Sequence, residues 1–402
     1  MQQIVKHFTD NDLYTFTCMY YIVQSYPRAE VEYTFFDRNK TVYPDGFDAL
    51  LREQVDMMKN VVITDEEIEF MQQKCYYLPK WFIDVFLRGF RFNPAEVDIS
   101  MDKDNHLHVS VKGKWYSAII WEMPILSCVS ELMHILNGDT KIYDEQTERE
   151  YIRKKSEEIF SSSLVIGDMG TRRRFSFEHQ KVVLEEMSRV YKEKQWSGIF
   201  TGTSNVWFAM KLGLNPLGTM SHQIISFEEN CSSVFEVNHS VMEKWAEVYN
   251  GDLGIYLYDC FGDNVFFNNF SKKMAMLFSG LRVDSGNEEE QIDKIVAKYK
   301  ELGVNPLTKQ VIFSNGLNIK RAIEINNYAK GKIIPSFGVG TFLTCDVASG
   351  GGVIKPMNIV VKLTRSRITE SREWHDCVKL SCDKGKTLGN EMKCKYLQSV
   401  IG

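Results

Sequence analysis

No run of about 18 uncharged apolar residues occurs in the 402-residue chain, so no segment reads as a membrane-spanning helix. Met1–Thr9 lacks the apolar core of a secretory signal. The nine cysteines, from Cys18 to Cys394, contain no C-x-x-C pair and are odd in number. That excludes the usual zinc spacing and a complete disulfide framework, and points to reduced thiols in a cytoplasmic protein. Only 9 prolines and 26 glycines are present, which excludes collagen-like or linker-dominated architecture. Positive charge is not in excess: 48 Lys+Arg face 53 Asp+Glu, for a net charge of -5. A duplex-binding surface is ordinarily basic, so nucleic acid is not the expected partner. There is no internal repeat. What remains is a globular composition, 44% apolar and 25% charged, long enough for two or three domains.

Three stretches differ in pattern. Residues 1–138 mix helical and strand periodicity. Helices are expected over Asp10–Gln24, Phe47–Asn60 and, as two short pieces, Glu66–Phe86. A hairpin is expected from His106–Val111 to Tyr116–Trp121, followed by a long apolar-faced helix from Pro124. Residues 139–352 alternate short apolar runs with helix-like segments. The runs are Leu164–Ile166, Gly198–Phe200, Leu214–Leu217, Ile255–Leu257, Leu281–Val283, Val311–Phe313 and Ile333–Phe337. Strand-then-helix repetition implies parallel strands with helices outside, hence an irregular α/β barrel, closed or incomplete; an open doubly wound sheet is the alternative. Residues 353–402 return to strand character and end in a short helix. They are expected to complete the α+β N-terminal domain.

Nearly every middle strand ends in a group suited to phosphate, ribose or Mg²⁺, and in parallel α/β architecture those ends share one face. Gly170-Thr171-Arg172-Arg173-Arg174 follows the first strand, and the guanidinium fork matches phosphate oxygens. Gly202-Thr203-Ser204-Asn205 opens a helix, as an anion site or as a plain cap. His222 follows the third run, and Asp259 and Asp284 end the next two. Carboxylates there suit ribose hydroxyls or hydrated Mg²⁺, or simple capping. Phe337-Gly338-Val339-Gly340-Thr341 would let backbone approach a phosphate. Ser349–Gly352 lacks the Gly-Lys-Ser/Thr of a P-loop and reads as a turn.

Together these strings resemble the nicotinate phosphoribosyltransferase family. GTRRRFS, GTSN, GT-x-x-H, LR-x-DSG, FS-N-GLN and FG-x-GT-x-LTCD follow one another in order, with KPMNIVVKL, VKLSCDKGKT and the N-terminal TDNDLYTFTCMY beside them. The resemblance implies synthesis of nicotinate mononucleotide and pyrophosphate from nicotinate and 5-phosphoribosyl 1-pyrophosphate. ATP hydrolysis would be coupled through a phosphohistidine, with Mg²⁺, in a homodimer with shared sites. By motif, His222 takes the phosphohistidine position, and Tyr14 the tyrosine that stacks on the pyridine ring from the neighbouring subunit. Thr203, Ser204 and Arg282 fall around nicotinate. Arg172, Asp259, Asp284, Gly338, Gly340 and Thr341 fall around phosphoribose, pyrophosphate and Mg²⁺, with Asp259 and Asp284 nearest the metal. His222, Arg282 and Asp284 are the expected catalytic groups.

The related nicotinamide enzymes carry aspartate at the position of Ser204, where a hydroxyl could instead donate to nicotinate. Several residues depart from the common strings: Met169 for phenylalanine, Gln223 for the glutamate after the histidine, Asn315 and Asn318 for acidic residues, Asn287 for aspartate and Phe342 for arginine. Two other functions stay open on sequence: a non-catalytic sugar-phosphate or nucleotide binder, and a nicotinamide-using transferase.

Overall fold

Strand pairing separates the chain into two sheets. The computed structural model describes residues 1–349, 351, 354–381, 383 and 387–402. In chain order the strands are β1 (Glu30–Asp37), β2 (Val97–Met101), β3 (Leu107–Lys114), β4 (Val165–Asp168), β5 (Ile199–Thr203), β6 (Ile255–Leu257), β7 (Gly280–Val283), β8 (Gln310–Phe313), β9 (Ile334–Val339), β10 (Ile359–Arg367) and β11 (His375–Asp376). Six form a parallel sheet in the order β5-β4-β9-β8-β7-β6, and five an antiparallel sheet in the order β11-β10-β1-β3-β2.

In the parallel sheet each strand feeds a helix, and the junction residue is repeatedly a cap. Ser176 accepts from His179 N at 3.0 Å, Asn205 from Phe208 N at 3.1 Å, Asn287 from Glu290 N at 3.0 Å and Asn318 from Arg321 N at 2.8 Å. Such caps satisfy amides that the first helical turn leaves without partners. Asn287 and Asn318 are therefore capping residues here.

One of the seven expected strands, Leu214–Leu217, does not form. Pro216 makes a single parallel bridge to Thr203, flanked by Thr203 N to Asn215 O at 3.1 Å and Leu217 N to Thr203 O at 2.9 Å. Proline has no N–H to extend the ladder. Among the described residues no ladder joins β5 to β6, so the barrel is incomplete.

The expected hairpin also differs. β3 pairs back with β2, from Met101↔Leu107 to Val97↔Val111. The turn is built on Asp102, whose Oδ1 accepts from Asp104 N at 2.9 Å and His106 N at 3.0 Å, with Asn105 at φ 60°. Tyr116–Trp121 is helical and runs into Glu122–Leu136. The joined stretch Trp115–Leu136 is long and apolar enough to cross a membrane, although Glu122 and Glu131 keep it from being an uncharged run. In the protein 89% of its most apolar window is buried, as for a core helix.

β10 runs antiparallel to β1 along its whole length, so both chain termini share one sheet. The segment after β11 then crosses to the parallel sheet: Leu380 N donates to Cys260 O at 2.9 Å and Ser226 Oγ to Val378 O at 2.8 Å. Part of the expected Ser349–Gly352 turn (Gly350, Gly352) and of VKLSCDKGKT (Cys382, Lys384, Gly385, Lys386) lies outside the described residues.

Candidate active site

The tips of the parallel strands surround a cavity of about 340 Å³, which adjoins a narrower inner chamber of about 70 Å³. Tyr14, Arg172 and Arg282 line both. Ser204, Gly338, Gly340 and Thr341 line the outer cavity; His222 and Asp284 line the inner one. Asp259 stands behind His222, bonded to it. Thr203 does not reach the cavity: it is fully buried, and its hydroxyl donates to Asp168 Oδ2 at 2.7 Å.

The three consecutive arginines divide. Arg174 is fully buried and forked against Asp10 at 2.7 and 2.9 Å, with Nε donating to Glu131 at 2.7 Å. It ties the barrel to the N-terminal part of the chain. Arg172 and Arg173, in the turn Thr171–Arg173, face the outer cavity. Arg172 lies 3.8 Å from Glu122. Arg173 has no carboxylate partner among the described residues. Burial, then the nearby Arg172 and Arg38, pulls it down to about 10. In the inner chamber burial pulls Lys362, on β10, down to about 8. Cations crowded this way are stabilised by an arriving anion.

His222 opens the helix His222–Glu228. Its Nε2 is 2.7 Å from Asp259 Oδ1. Lys379 Nζ is 2.9 Å from the same nitrogen and 3.1 Å from Asp259 Oδ2, and Ser285 Oγ donates to that oxygen at 2.7 Å. Burial, then the Lys379 charge, lowers His222 to about 4, so the imidazole is neutral at pH 7. Burial would raise Asp259, but His222 and Lys379 together hold it well below the carboxylate range. With Asp259 ionised at 2.7 Å the ring proton is assigned to Nε2, Lys379 then donates to Asp259 Oδ2 rather than to the ring, and the Nδ1 lone pair is left available. Asp284 is opposed by burial yet held at about 2 by Arg282, Lys379 and His222. Ser314 Oγ accepts from Arg282 Nε and donates to Asp284 Oδ1, both at 2.8 Å, fixing the guanidinium.

Four expectations change in detail. Tyr14 reaches the cavity from its own chain, because Asp12 bridges Asn205 and Leu13 N donates to Ser204 O at 2.8 Å; its hydroxyl donates to Glu122 at 2.8 Å. Ser204 Oγ donates to Asp12 Oδ1 at 2.7 Å, so its proton is already committed and a carboxylate lies at the cavity wall. A Cβ at Gly338 would collide with the side chain of Met169, and one at Gly340 would sit 3.2 Å from Met169 O. These glycines give Met169 its room, and both also line the outer cavity. The Gln223 amide oxygen accepts from Tyr33 OH and, at 3.2 Å, from Trp115 Nε1, so it anchors the His222 helix to the antiparallel sheet.

Two family models match the chain: the nicotinate phosphoribosyltransferase (NAPRTase) family over residues 164–400 and its N-terminal domain over residues 9–130. A nicotinate phosphoribosyltransferase from Desulforapulum autotrophicum is 35% identical, covering 99% of both chains, and one from Chromohalobacter salexigens is 36% identical, covering 98% of this chain and 97% of that one. A crystal structure of nicotinate phosphoribosyltransferase from Porphyromonas gingivalis superposes with a TM-score of 0.93 at 41% identity, covering 99% of this chain and 100% of that one. The chain belongs to the nicotinate phosphoribosyltransferase family.

Within that family frame, four site residues escaped the reading of strand tips. Asp12 and Glu122 come from the N-terminal part, Lys362 and Lys379 from the C-terminal segment. Lys379 lies inside the VKLSCDKGKT string and Lys362 inside KPMNIVVKL, so the signal was present but carried no position relative to the barrel. Glu122 is a buried carboxylate in a strongly apolar helix, a sequence signal in its own right.

Proposed function

We propose that this protein transfers the phosphoribosyl group of 5-phosphoribosyl 1-pyrophosphate to the ring nitrogen of nicotinate, and that ATP hydrolysis is coupled to the transfer through phosphorylation of His222. The observation that carries this reading is the His222 imidazole, bonded to Asp259 and opening onto an inner chamber that shares Arg172 and Arg282 with the outer cavity lined by Arg173.

The pyridine nitrogen attacks the anomeric carbon; the C–N bond forms as the bond to pyrophosphate breaks. Positive charge grows on the sugar and negative charge on the leaving group. Arg172, Arg173 and Lys362 supply preorganised cations for the latter. Removing one such contact typically costs about 3–4 kcal/mol of barrier. In the coupling step His222 Nδ1 attacks the γ-phosphorus of ATP, the N–P bond forms and ADP leaves with the P–O electron pair. Asp259 holds the Nε2 proton and stabilises the charge that develops on the ring. The inner chamber is narrow, so a phosphoryl end reaches His222 and the nucleoside stays outside.

A bare Mg²⁺ among His222, Asp259 and Asp284 fits poorly. Their ligand atoms lie within 4.8 Å of one another, but the Lys379 ammonium already sits among them. A hydrated ion carried on substrate phosphates does fit, with Asp284 as the carboxylate facing the chamber. Such an ion would neutralise charge on the leaving pyrophosphate. A homodimer remains part of the reading, and Tyr14 lines both chambers of its own chain.

The commitment of Ser204 to Asp12 favours a second ring substrate, since a carboxylate can accept an amide N–H. Competition between nicotinate and nicotinamide measures this directly. For the main reading, brief exposure to ATP should leave acid-labile phosphate on His222 by mass spectrometry, and nicotinate should release pyrophosphate. His222→Ala should lose all ATP dependence. Binding of 5-phosphoribosyl 1-pyrophosphate without product would instead mean a non-catalytic binder.

A further inference from the structure

Cys345 closes the short helix Thr341–Thr344 and borders the outer cavity beside Arg173. Its Sγ lies 3.6 Å from His134 Nε2, and His134 Nδ1 lies 2.7 Å from Asp139 Oδ2. The three side chains come from separate elements: the end of that helix, the core helix Glu122–Leu136 and the turn Asp139–Lys141. The His134 ring is braced by Phe175 at a centroid distance of 4.9 Å. Among the described residues, no other cysteine is hydrogen-bonded to a histidine ring. Asp139 fixes the Nδ1–H tautomer, so Nε2 presents its lone pair to the thiol. Nucleophile, base and orienting carboxylate are thus in line, and the transfer chemistry above uses none of them.

We propose that Cys345 is a modification site: a thiol primed by His134 and Asp139 for small, soft carbon electrophiles such as α-haloamides and enones, whose adduct projects into the substrate cavity. With an α-haloamide the S–C bond forms, the carbon–halogen bond breaks with its electron pair leaving on the halide, and the thiol proton passes to His134 Nε2. With an enone the displaced pair moves onto the enolate, and the proton held by His134 then completes the adduct. Burial pushes the Cys345 thiol up to about 12, so it rests protonated and needs the base as the sulfur attacks. The nearby Arg173 charge works in the other direction and favours the thiolate. An anion bound at Arg173 would cancel that help and fill the approach.

Iodoacetamide labelling of the full chain at neutral pH, followed residue by residue with peptide mass spectrometry, tests this. Cys128 is the internal control, because it has the same 2% exposure as Cys345 and no imidazole. Cys345 should label roughly tenfold faster or more than Cys128. His134→Gln should slow Cys345 by a similar factor and leave the exposed Cys231 unchanged. A jump in Cys128 labelling would reveal unfolding of that variant; Asp139→Asn then gives the same slowing from a partly exposed position. Labelling of Cys345 no faster than Cys128, or indifferent to both variants, overturns the proposal. Its second half rests on the proposed substrate. 5-Phosphoribosyl 1-pyrophosphate should protect Cys345, and loss of transfer should track its label. Fast, His134-dependent labelling without protection would refute the shared cavity, not the nucleophile.

Discussion

The parallel sheet and the wall facing it contribute differently to one cavity. The strand tips and the helix opened by His222 supply groups that bind and react: Arg172, His222, Arg282 and Asp284. The terminal segments supply groups that act on those. Lys379 depresses His222, Lys362 adds a cation with no carboxylate partner among the described residues, and Tyr33 and Trp115 fasten Gln223 beside the histidine. Within the barrel, Asp259 and Asp284 act to raise the titration of His222. The opposing wall buries it and sets a lysine next to it. Chemistry is placed by one half of the molecule and its electrostatics by the other.

The seam between the halves gives the largest expected effect. Arg174→Ala would leave Asp10 and Glu131 buried without their cation and should cost about 3–5 kcal/mol in denaturant unfolding. Arg173→Ala, one residue earlier, should leave stability near wild type and weaken phosphoribosyl pyrophosphate binding. Equal destabilisation by both would erase the division drawn between them.

Next come variants that test the division of labour. Arg282→Ala should lower kcat by roughly 10²–10³. Lys379→Met should lower the rate of His222 phosphorylation and raise the His222 pKa above about 4, readable by NMR titration. If the Lys379 variant left that pKa unmoved, the terminal wall would not be tuning the imidazole.

The middle strands were legible because a short apolar run followed by a polar or glycine residue is a local pattern, and six of seven such runs are strands. Leu214–Leu217 misled because its apolar run is broken by Pro216, which permits one bridge and no ladder. The β3 partner was misassigned because an apolar run after Gly113 suits a strand or a helix equally; the Asp102–Asn105 turn was the better signal. Site residues on the rim followed from their motifs. Lys362 and Lys379 did not, because their importance lies in a fold-back of the C-terminal segment that leaves no local pattern. Nor did the separation of Arg174 from Arg172 and Arg173, since only packing tells which guanidinium points inward.

A smaller effect concerns pH. His222 is lowered in the folded state, so between about 4 and its ordinary 6.5 the unfolded chain binds more protons. Its contribution to stability is present above 6.5 and lost as pH falls toward 4. The depressed Asp284 adds a second loss, from its ordinary 3.8 down to about 2. His222→Gln should flatten the first segment in thermal unfolding between pH 7 and 5, and leave the second in place.

The smallest expected effect separates a glycine kept for substrate from one kept for packing. At Gly338 an added methyl would fall on Met169, within 2.9 Å of its Cε, and β9 pairs Gly338 with Gly167 on β4, so the backbone has little room to retreat. Gly338→Ala should therefore destabilise by about 1–3 kcal/mol through overpacking and push Met169 toward the cavity. Adding Met169→Ala should return most of the stability, because the collision partner is gone. If the double variant recovered stability but still bound phosphoribosyl pyrophosphate as poorly as the single one, the glycine would also be serving the ligand. Recovery of both would assign it to Met169 alone, a side chain from the barrel half whose demand on its neighbour strand is purely steric.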